Sequence, residues 1–303
     1  MIATRGLDTW DLLRSGGASI ARAEEDAVSR TPTTRATTAL CGIVLHPASH
    51  TRSPAMHGAA FRAAGIDATY LAFDVPPESL SAAIAGARAL GMRQLAVSLP
   101  HKEAVMHHLD VIDPVARRIG AVNTVTLREG RLEGSNTDWS GAVRALERET
   151  ALDAARAVVL GAGGTARAMV HGLRERGAQV TVLNRTPERA QALAAELGAV
   201  AGGPLTALGE TPHDVLVNTT SVGLHDDASP VPAEAIAPEA VVMDAVYEPE
   251  RTRFLRDAEA RGARTVTGRW MLVYQAAEQF ELWTGKKAPV QAMAAAFDAT
   301  GNA

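Results

Sequence analysis

Val158-Val159-Leu160-Gly161-Ala162-Gly163-Gly164-Thr165-Ala166 runs from a short apolar segment into a cluster of glycines and then into small, helix-compatible residues. An apolar run bounded by a turn signal predicts a buried strand, and the residues after Gly164 predict a helix. Gly161 and Gly163 keep the G-x-G-x-x-G/A spacing, with Ala166 as the third small residue. That spacing serves close approach: the glycines let the turn close and let a pyrophosphate reach the backbone amides at the helix N-terminus. The same glycines can also make a tight strand–helix turn that binds nothing. The strand before them and the helix after them supply the context a dinucleotide site demands, so Gly161, Ala162, Gly163, Gly164 and Thr165 are read as cofactor-binding.

Downstream the strand–helix alternation continues, with strands expected at Gln179 to Leu183, Asp214 to Val217 and Val241 to Ala245. The best-punctuated helix between them has Thr186 as N-cap, Pro187 at the first helical position and Gly198 at its end. The second strand ends in Asn184-Arg185-Thr186. It lies roughly twenty residues beyond the first glycine, where an NAD-binding unit carries a carboxylate for the ribose 2′-hydroxyl. Here a guanidinium stands instead, and its forked donors suit a 2′-phosphate. The choice is therefore NADP, with Asn184, Arg185, Thr186 and Arg189 around the phosphate; the plainer role for Arg185 is to end an exposed strand. Two further helices, near Trp270 to Thr284 and Val290 to Asp298, are long enough to cross back onto the upstream part of the chain.

Upstream, Leu40 to Leu45, Thr69 to Phe73, Gln94 to Val97 and Val122 to Leu127 read as strands. Pro54 to Ala64 and Glu78 to Leu90 read as helices, stopped by Gly65 and Gly91. Such alternation predicts a parallel sheet covered by helices. A helix near Gly141 to Glu149 leads into the second series, which puts the boundary near residue 140. The expected fold is α/β with two domains. Residues 38–139 form an N-terminal substrate domain, completed by helices within 284–303, and 140–283 form a C-terminal Rossmann NADP-binding domain. Residues 1–37 show little apolar periodicity and read as a poorly ordered extension, whose acidic patch Glu24-Glu25-Asp26 argues against a transit peptide.

The composition agrees with a globular chain of this kind. Of 303 residues, 47% are hydrophobic and 21% charged, with a formal net charge of −4. Basic residues number 30 against 34 acidic ones and are scattered, which argues against a nucleic-acid partner. The single cysteine, Cys41, excludes an internal disulfide and a multi-cysteine metal site, and it sits in an apolar run as a small core residue. No apolar stretch approaches the roughly eighteen residues of a membrane span, so a cytoplasmic protein with no membrane partner is expected.

Two titratable residues stand at ends of upstream elements. Lys102 lies in Ser98-Leu99-Pro100-His101-Lys102, and Asp138 in Gly134-Ser135-Asn136-Thr137-Asp138. Reduction of a ketone needs a proton donor beside the oxygen that gains charge as hydride arrives. A lysine can supply that proton, and an adjacent aspartate can orient it and accept from the substrate hydroxyl. Composition alone would leave both on the surface. His101, His107 and His108 lie near a helix start with no matching ligands, so surface or capping roles are expected and no metal site.

These segments resemble the shikimate dehydrogenase family in order and spacing. Gly42-Ile43-Val44-Leu45-His46-Pro47-Ala48-Ser49-His50-Thr51-Arg52-Ser53-Pro54 looks like its substrate loop, and Ala96-Val97-Ser98-Leu99-Pro100-His101-Lys102 is similar to its lysine segment. Gly120-Ala121-Val122-Asn123-Thr124, Asn136-Thr137-Asp138, the Gly161 turn, Asn184-Arg185-Thr186 and Asn218-Thr219-Thr220-Ser221-Val222-Gly223 follow in turn. Asp244-Ala245-Val246-Tyr247 with Pro249, and Gly268-Arg269-Trp270-Met271-Leu272-Val273-Tyr274-Gln275, complete the set. The resemblance covers residues 40–300.

The resemblance implies an NADP-dependent oxidoreductase that reduces 3-dehydroshikimate to shikimate, with Lys102 as acid/base and Asp138 as its partner. It implies that Thr51 and Ser53 hold the substrate carboxylate, while Ser98, Asn123, Tyr247 and Gln275 contact carboxylate or ring hydroxyls. It implies that Ala245, Gly268 and Met271 line the nicotinamide pocket, and that Thr219 and Ser221 lie along the span toward adenosine. Two positions depart from the family pattern: Thr51 replaces a serine, and Ala96-Val97-Ser98 replaces Asn-Val-Thr. Both keep a hydroxyl but reshape the pocket. Quinate or dual quinate/shikimate oxidation is therefore the rival reading, and a non-catalytic nucleotide-binding regulator, against which Lys102 and Asp138 argue, a more distant one. The expected assembly is a monomer or homodimer.

Overall fold

Two six-stranded sheets organise the chain, and the cleft between their strand ends is where the chemistry-bearing residues collect. The computed structural model describes residues 34–49 and 51–300, so all but the last four positions of the expected extension lie outside the described residues.

The first sheet begins with β1 (Ala39–Leu45), α1 (Ser53–Ala64), β2 (Ala68–Asp74), α2 (Leu80–Ala89) and β3 (Gln94–Val97). It continues through β4 (Val111–Ile112), α3 (Pro114–Ile119), β5 (Thr124–Arg128) and β6 (Arg131–Ser135). The spatial order is β2-β1-β3-β5-β6-β4. The sequence predicts a parallel sheet, and the structure corrects this: β1 pairs in parallel with β2 and β3, but β5 runs antiparallel to both β3 and β6. The cause is local. Glu129 and Gly130 both adopt positive φ, 50° and 77°, which is the backbone of a two-residue hairpin turn that sends β6 straight back along β5.

From β6 the chain enters α4 (Asp138–Leu146), which starts three residues before the helix expected from Gly141. Next come β7 (Arg156–Leu160), α5 (Gly164–Glu175), β8 (Gln179–Asn184), α6 (Pro187–Leu197) and β9 (Ala201–Pro204). β10 (Val215–Asn218), β11 (Val241–Asp244), α7 (Arg253–Ala260) and β12 (Arg264–Val266) complete the second sheet. Its order is β12-β11-β10-β7-β8-β9, with every pairing parallel. This is the doubly wound dinucleotide-binding arrangement, with its reversal of strand order between β7 and β10. Strands β7, β10 and β11 are buried almost throughout, which explains their continuous apolar runs.

The last two helices, α8 (Gly268–Thr284) and α9 (Val290–Thr300), tie the halves together. Met271 of α8 joins the core under the second sheet, whereas Val273, Ala276, Phe280, Met293 and Phe297 join Cys41, Ile43 and Phe61 under the first. Fully burying a side chain such as Phe297 or Met293 contributes about 1.5–3 kcal/mol, so α9 is held firmly to the first sheet. Helix α4 crosses α8 closely because Gly141 has no side chain: a Cβ there would stand 2.8 Å from the Gln275 amide nitrogen and 2.9 Å from the Met271 carbonyl.

Candidate active site

Each side of the cleft is set by local backbone chemistry. Asp113 caps α3 by accepting from the Val115 and Ala116 amides at 2.8 and 3.0 Å, and Gly120 ends that helix in the left-handed conformation, φ 73°. The abrupt stop turns Ala121-Val122-Asn123 back toward the sheet. Asn136 closes a short turn by accepting from the Asp138 amide at 3.0 Å, and its own amide donates to the Ala121 carbonyl at 2.9 Å. Asp138 thus lies in the first turn of α4, where the helix dipole favours an anion.

Lys102 reaches Asp138 from the loop after β3, donating to Oδ2 at 2.6 Å. The two side chains are only 11% and 6% exposed. A longer contact, 3.5 Å, joins Lys102 to the Thr165 hydroxyl at the start of α5. An ammonium has three donors, so one remains for a ligand in the cleft. Asn123 donates to Asp138 Oδ1 at 2.8 Å and to Gln275 Oε1 at 3.3 Å, while its own Oδ1 accepts from the Thr137 amide at 2.8 Å. Lys102, Asp138, Asn123 and Gln275 therefore form one buried hydrogen-bonded network drawn from four segments of the chain.

An inner pocket of about 60 Å³ opens onto this network, and Thr51, Ser53, Ser98, Lys102, Asn123, Asp138, Tyr247 and Gln275 all line it. Burial pushes the Tyr247 phenol above its usual range, partly offset by its hydrogen bond with Thr51 and by the Arg52 charge. An outer cleft of about 280 Å³ continues from it past Thr165, Thr219, Ser221, Ala245, Gly268 and Met271. Gly268 is required there: a Cβ would approach the Ala245 and Val246 carbonyls to 2.8 and 2.7 Å.

The glycine turn joins β7 to α5 at the sheet's switch point. Gly161 has φ 114°, and a Cβ on it would meet the Thr219 hydroxyl at 2.7 Å. Gly163 has open space on its Cβ side, and Gly164 lets the Lys102 loop come close, with 3.1 Å between its would-be Cβ and that of Lys102. Backbone amides at the head of α5 thus face a gap that suits a pyrophosphate. At the end of β8, Asn184 donates to the Thr186 carbonyl at 3.0 Å. Arg185 and Arg189 are exposed, and among the described residues neither guanidinium has a hydrogen-bond or ion-pair partner. Two unpaired guanidiniums beyond the glycine turn fit the 2′-phosphate of NADP. Thr186 is the N-cap of α6 in extended backbone, with Pro187 following it as the sequence predicts, although its hydroxyl makes no capping bond.

His101 is a second correction. It is buried, with Nε2 at 2.7 Å from the Val75 carbonyl, because the lysine loop folds inward and the ring anchors it. His107 is exposed and His108 half-buried. Among the described residues no group of His, Cys, Asp or Glu could hold a metal ion. Asp244 carries no functional expectation from the sequence, yet it braces the site. It is wholly buried, accepting from Asn218 Nδ2 at 2.9 Å, the Val246 amide at 3.0 Å and the Thr252 hydroxyl at 2.6 Å. It ties the loop carrying Thr219 and Ser221 to the loop carrying Ala245 and Tyr247. Burial raises its carboxyl to about 6 against these three hydrogen bonds. Its position at the end of a strand, in a motif already matched, was the only available signal.

Fold and site together define a two-domain, dinucleotide-dependent dehydrogenase. Residues 43–125 match the shikimate dehydrogenase substrate binding domain, 144–223 the shikimate / quinate 5-dehydrogenase domain, and 268–296 the shikimate 5′-dehydrogenase C-terminal domain. The chain is 53% identical over 256 residues to the shikimate dehydrogenase (NADP(+)) of Thermococcus kodakarensis, covering 83% of this chain and 93% of that one. It is 48% identical over 276 residues to that of Moorella thermoacetica, covering 86% and 92%. The solved structure of shikimate 5-dehydrogenase from Thermus thermophilus in complex with NADP(H) and shikimate superposes with a TM-score of 0.81 at 45% identity, covering 86% of this chain and 99% of that one. The chain belongs to the shikimate dehydrogenase family.

Proposed function

We propose that this protein is an NADP-dependent shikimate dehydrogenase, reversibly reducing 3-dehydroshikimate to shikimate. The observation that carries the reading is the Lys102–Asp138–Asn123–Gln275 network at the floor of an inner pocket that opens into a dinucleotide-sized cleft. When bound, NADPH supplies the hydride to the substrate carbonyl carbon. The chain's own residues handle the proton and the positioning. Lys102 donates its free proton to the oxygen that gains charge, and Asp138 holds the ammonium in place and accepts from a neighbouring substrate hydroxyl. Such proton transfer contributes about 10²–10⁴ in rate. Thr51, Ser53, Ser98 and Tyr247 surround the carboxylate and ring hydroxyls with neutral donors, so a poorly matched analogue leaves buried polar groups unpaired. Gly161, Ala162, Gly163, Gly164 and Thr165 hold the pyrophosphate, Arg185 and Arg189 the 2′-phosphate, and Ala245, Gly268 and Met271 wall the nicotinamide.

The division of labour follows: 38–139 with the helices of 284–303 bind substrate, and 140–283 bind NADP. The protein acts in the cytoplasm as a monomer or homodimer. The buried, isolated Cys41, whose thiol burial pushes up to about 12, supports a reducing compartment, and no described helix is long and apolar enough to cross a membrane. Following NADPH absorbance with purified protein against dehydroshikimate, and NADP reduction with shikimate and quinate, tests the reading. Turnover of shikimate at least tenfold more efficient than quinate is expected, and the reverse order would make the protein a quinate dehydrogenase.

A further inference from the structure

The pocket's front wall is built from two loops, and the contacts that join them use side chains with no part in the reaction proposed above. Arg52 stands between Thr51 and Ser53, yet its guanidinium lines neither cavity. It is buried at 8% exposure, lies 4.3 Å over the Phe297 ring and donates to the Phe297 carbonyl at 3.3 Å. It also pairs with the Glu248 carboxylate, and Glu248 immediately follows Tyr247. The Tyr247 ring meets Phe297 edge-on, with centroids 6.1 Å apart. Arg269, next to Gly268, forks onto Asp298 with two bonds of 2.7 Å. The last turns of α9 therefore touch three segments that line the site, and the Arg52–Glu248 pair spans two of them directly.

We propose that Arg52 and Glu248 are positioning residues, an ion-pair latch that fixes the spacing between the loop bearing Thr51 and Ser53 and the loop bearing Tyr247, and so sets affinity for the substrate carboxylate. The inference rests on the function proposed above, which assigns those hydroxyls to the substrate. Its physical basis is asymmetry of exposure. Glu248 is 45% exposed and Arg52 only 9% by side chain, so the guanidinium depends on its partner and is left poorly satisfied without it. Inside the pocket the same two loops also meet through the Thr51–Tyr247 hydrogen bond, but a substrate carboxylate competes for those hydroxyls, whereas the latch outside stays closed. Displacements near 1 Å in a positioned group cost about 10²-fold in extreme cases. The latch acts on ground state and transition state alike, so its loss raises KM and leaves kcat in place.

The test is a double-mutant cycle in steady-state kinetics with shikimate and NADP, run beside wild type. Glu248→Gln, on the exposed side, is expected to raise KM for shikimate about tenfold, with KM for NADP and kcat within about twofold. Glu248→Asp should recover part of the loss. Arg52→Met and the double variant should show non-additive effects on kcat/KM, as expected for directly coupled groups. If Arg52→Met does not fold, Glu248→Gln and Glu248→Asp decide alone. An unchanged shikimate KM in Glu248→Gln, an equal rise in both KM values, or strict additivity would overturn the latch. A wild type unable to oxidise shikimate would overturn the proposed function instead.

Discussion

Lys102 Nζ and Asp138 Oδ2 meet at 2.6 Å although 36 residues separate them in the chain. The loop after β3 brings one and the first turn of α4 brings the other. Asn123, between them in sequence, holds the free oxygen of the carboxylate at 2.8 Å. Contacts within the protein thus hold the pair in place, which is what efficient proton transfer requires.

Lys102→Ala is expected to lower kcat by two orders of magnitude or more, about the scale of general acid catalysis, while substrate affinity changes only a few-fold. Most of the pocket wall remains without the ammonium. Wild-type turnover at saturating substrate in this variant would remove the lysine from the mechanism.

Cofactor choice hangs on charge at the end of β8. Arg185→Asp should erase or reverse a preference for NADP over NAD, because a carboxylate repels the 2′-phosphate and accepts from the 2′-hydroxyl. A charge-assisted hydrogen bond is worth roughly 1.5–3 kcal/mol, or about ten- to a hundredfold in the ratio of kcat/KM values. Arg189 is equally unpaired and blunts the effect of the single change, so the double variant with Arg189→Ala should shift further. An NADP/NAD ratio that does not move in either variant would count against both guanidiniums.

Asp244 predicts a pH dependence of stability. Burial raises its carboxyl from 3.8 to about 6, so between those values the native state keeps a proton that the unfolded chain has released. Stability from this group is therefore greatest below the lower value, falls as pH rises through the window and reaches its full penalty above about 6. The whole effect is of order 3 kcal/mol. Urea denaturation of wild type and Asp244→Asn at about pH 4.5 and about pH 7 should show wild type gaining relative to the variant at the lower pH. A difference independent of pH would show that Asp244 does not titrate there.

Helix crossing at Gly141 offers a stability test that also reads the site. Its added methyl in Gly141→Ala would stand 2.8 Å from the Gln275 amide nitrogen, a backbone atom that cannot swing aside. Overpacking of this kind costs about 1–3 kcal/mol. Thermal melts should fall by several degrees, and KM for shikimate should rise because Gln275 moves. A melt and a KM both equal to wild type would mean that α4 and α8 separate at little cost.

Much of this protein was legible in the residues themselves because the signals are local. The apolar strand before Gly161, the glycine spacing and the strand ending at Arg185 are read within a few residues of one another, and they specify a doubly wound dinucleotide-binding unit. Gly65, Gly91 and Gly198 follow their helices in left-handed backbone, as glycine beyond a helical run predicts. Lys102 and Asp138 were recognisable by family resemblance, not by composition. Tertiary structure alone decided what depends on distant contacts. The antiparallel course of β5 against β3 broke the parallel pattern, and the inward fold of the lysine loop buried His101. Asn123 bonds to Gln275 across 152 residues, and Arg52 reaches Phe297 across 245. Periodicity and turn chemistry report on the next few residues, whereas convergence of side chains reports on how whole helices and sheets pack, and α8 and α9 acquire their place only when both cores have formed around them.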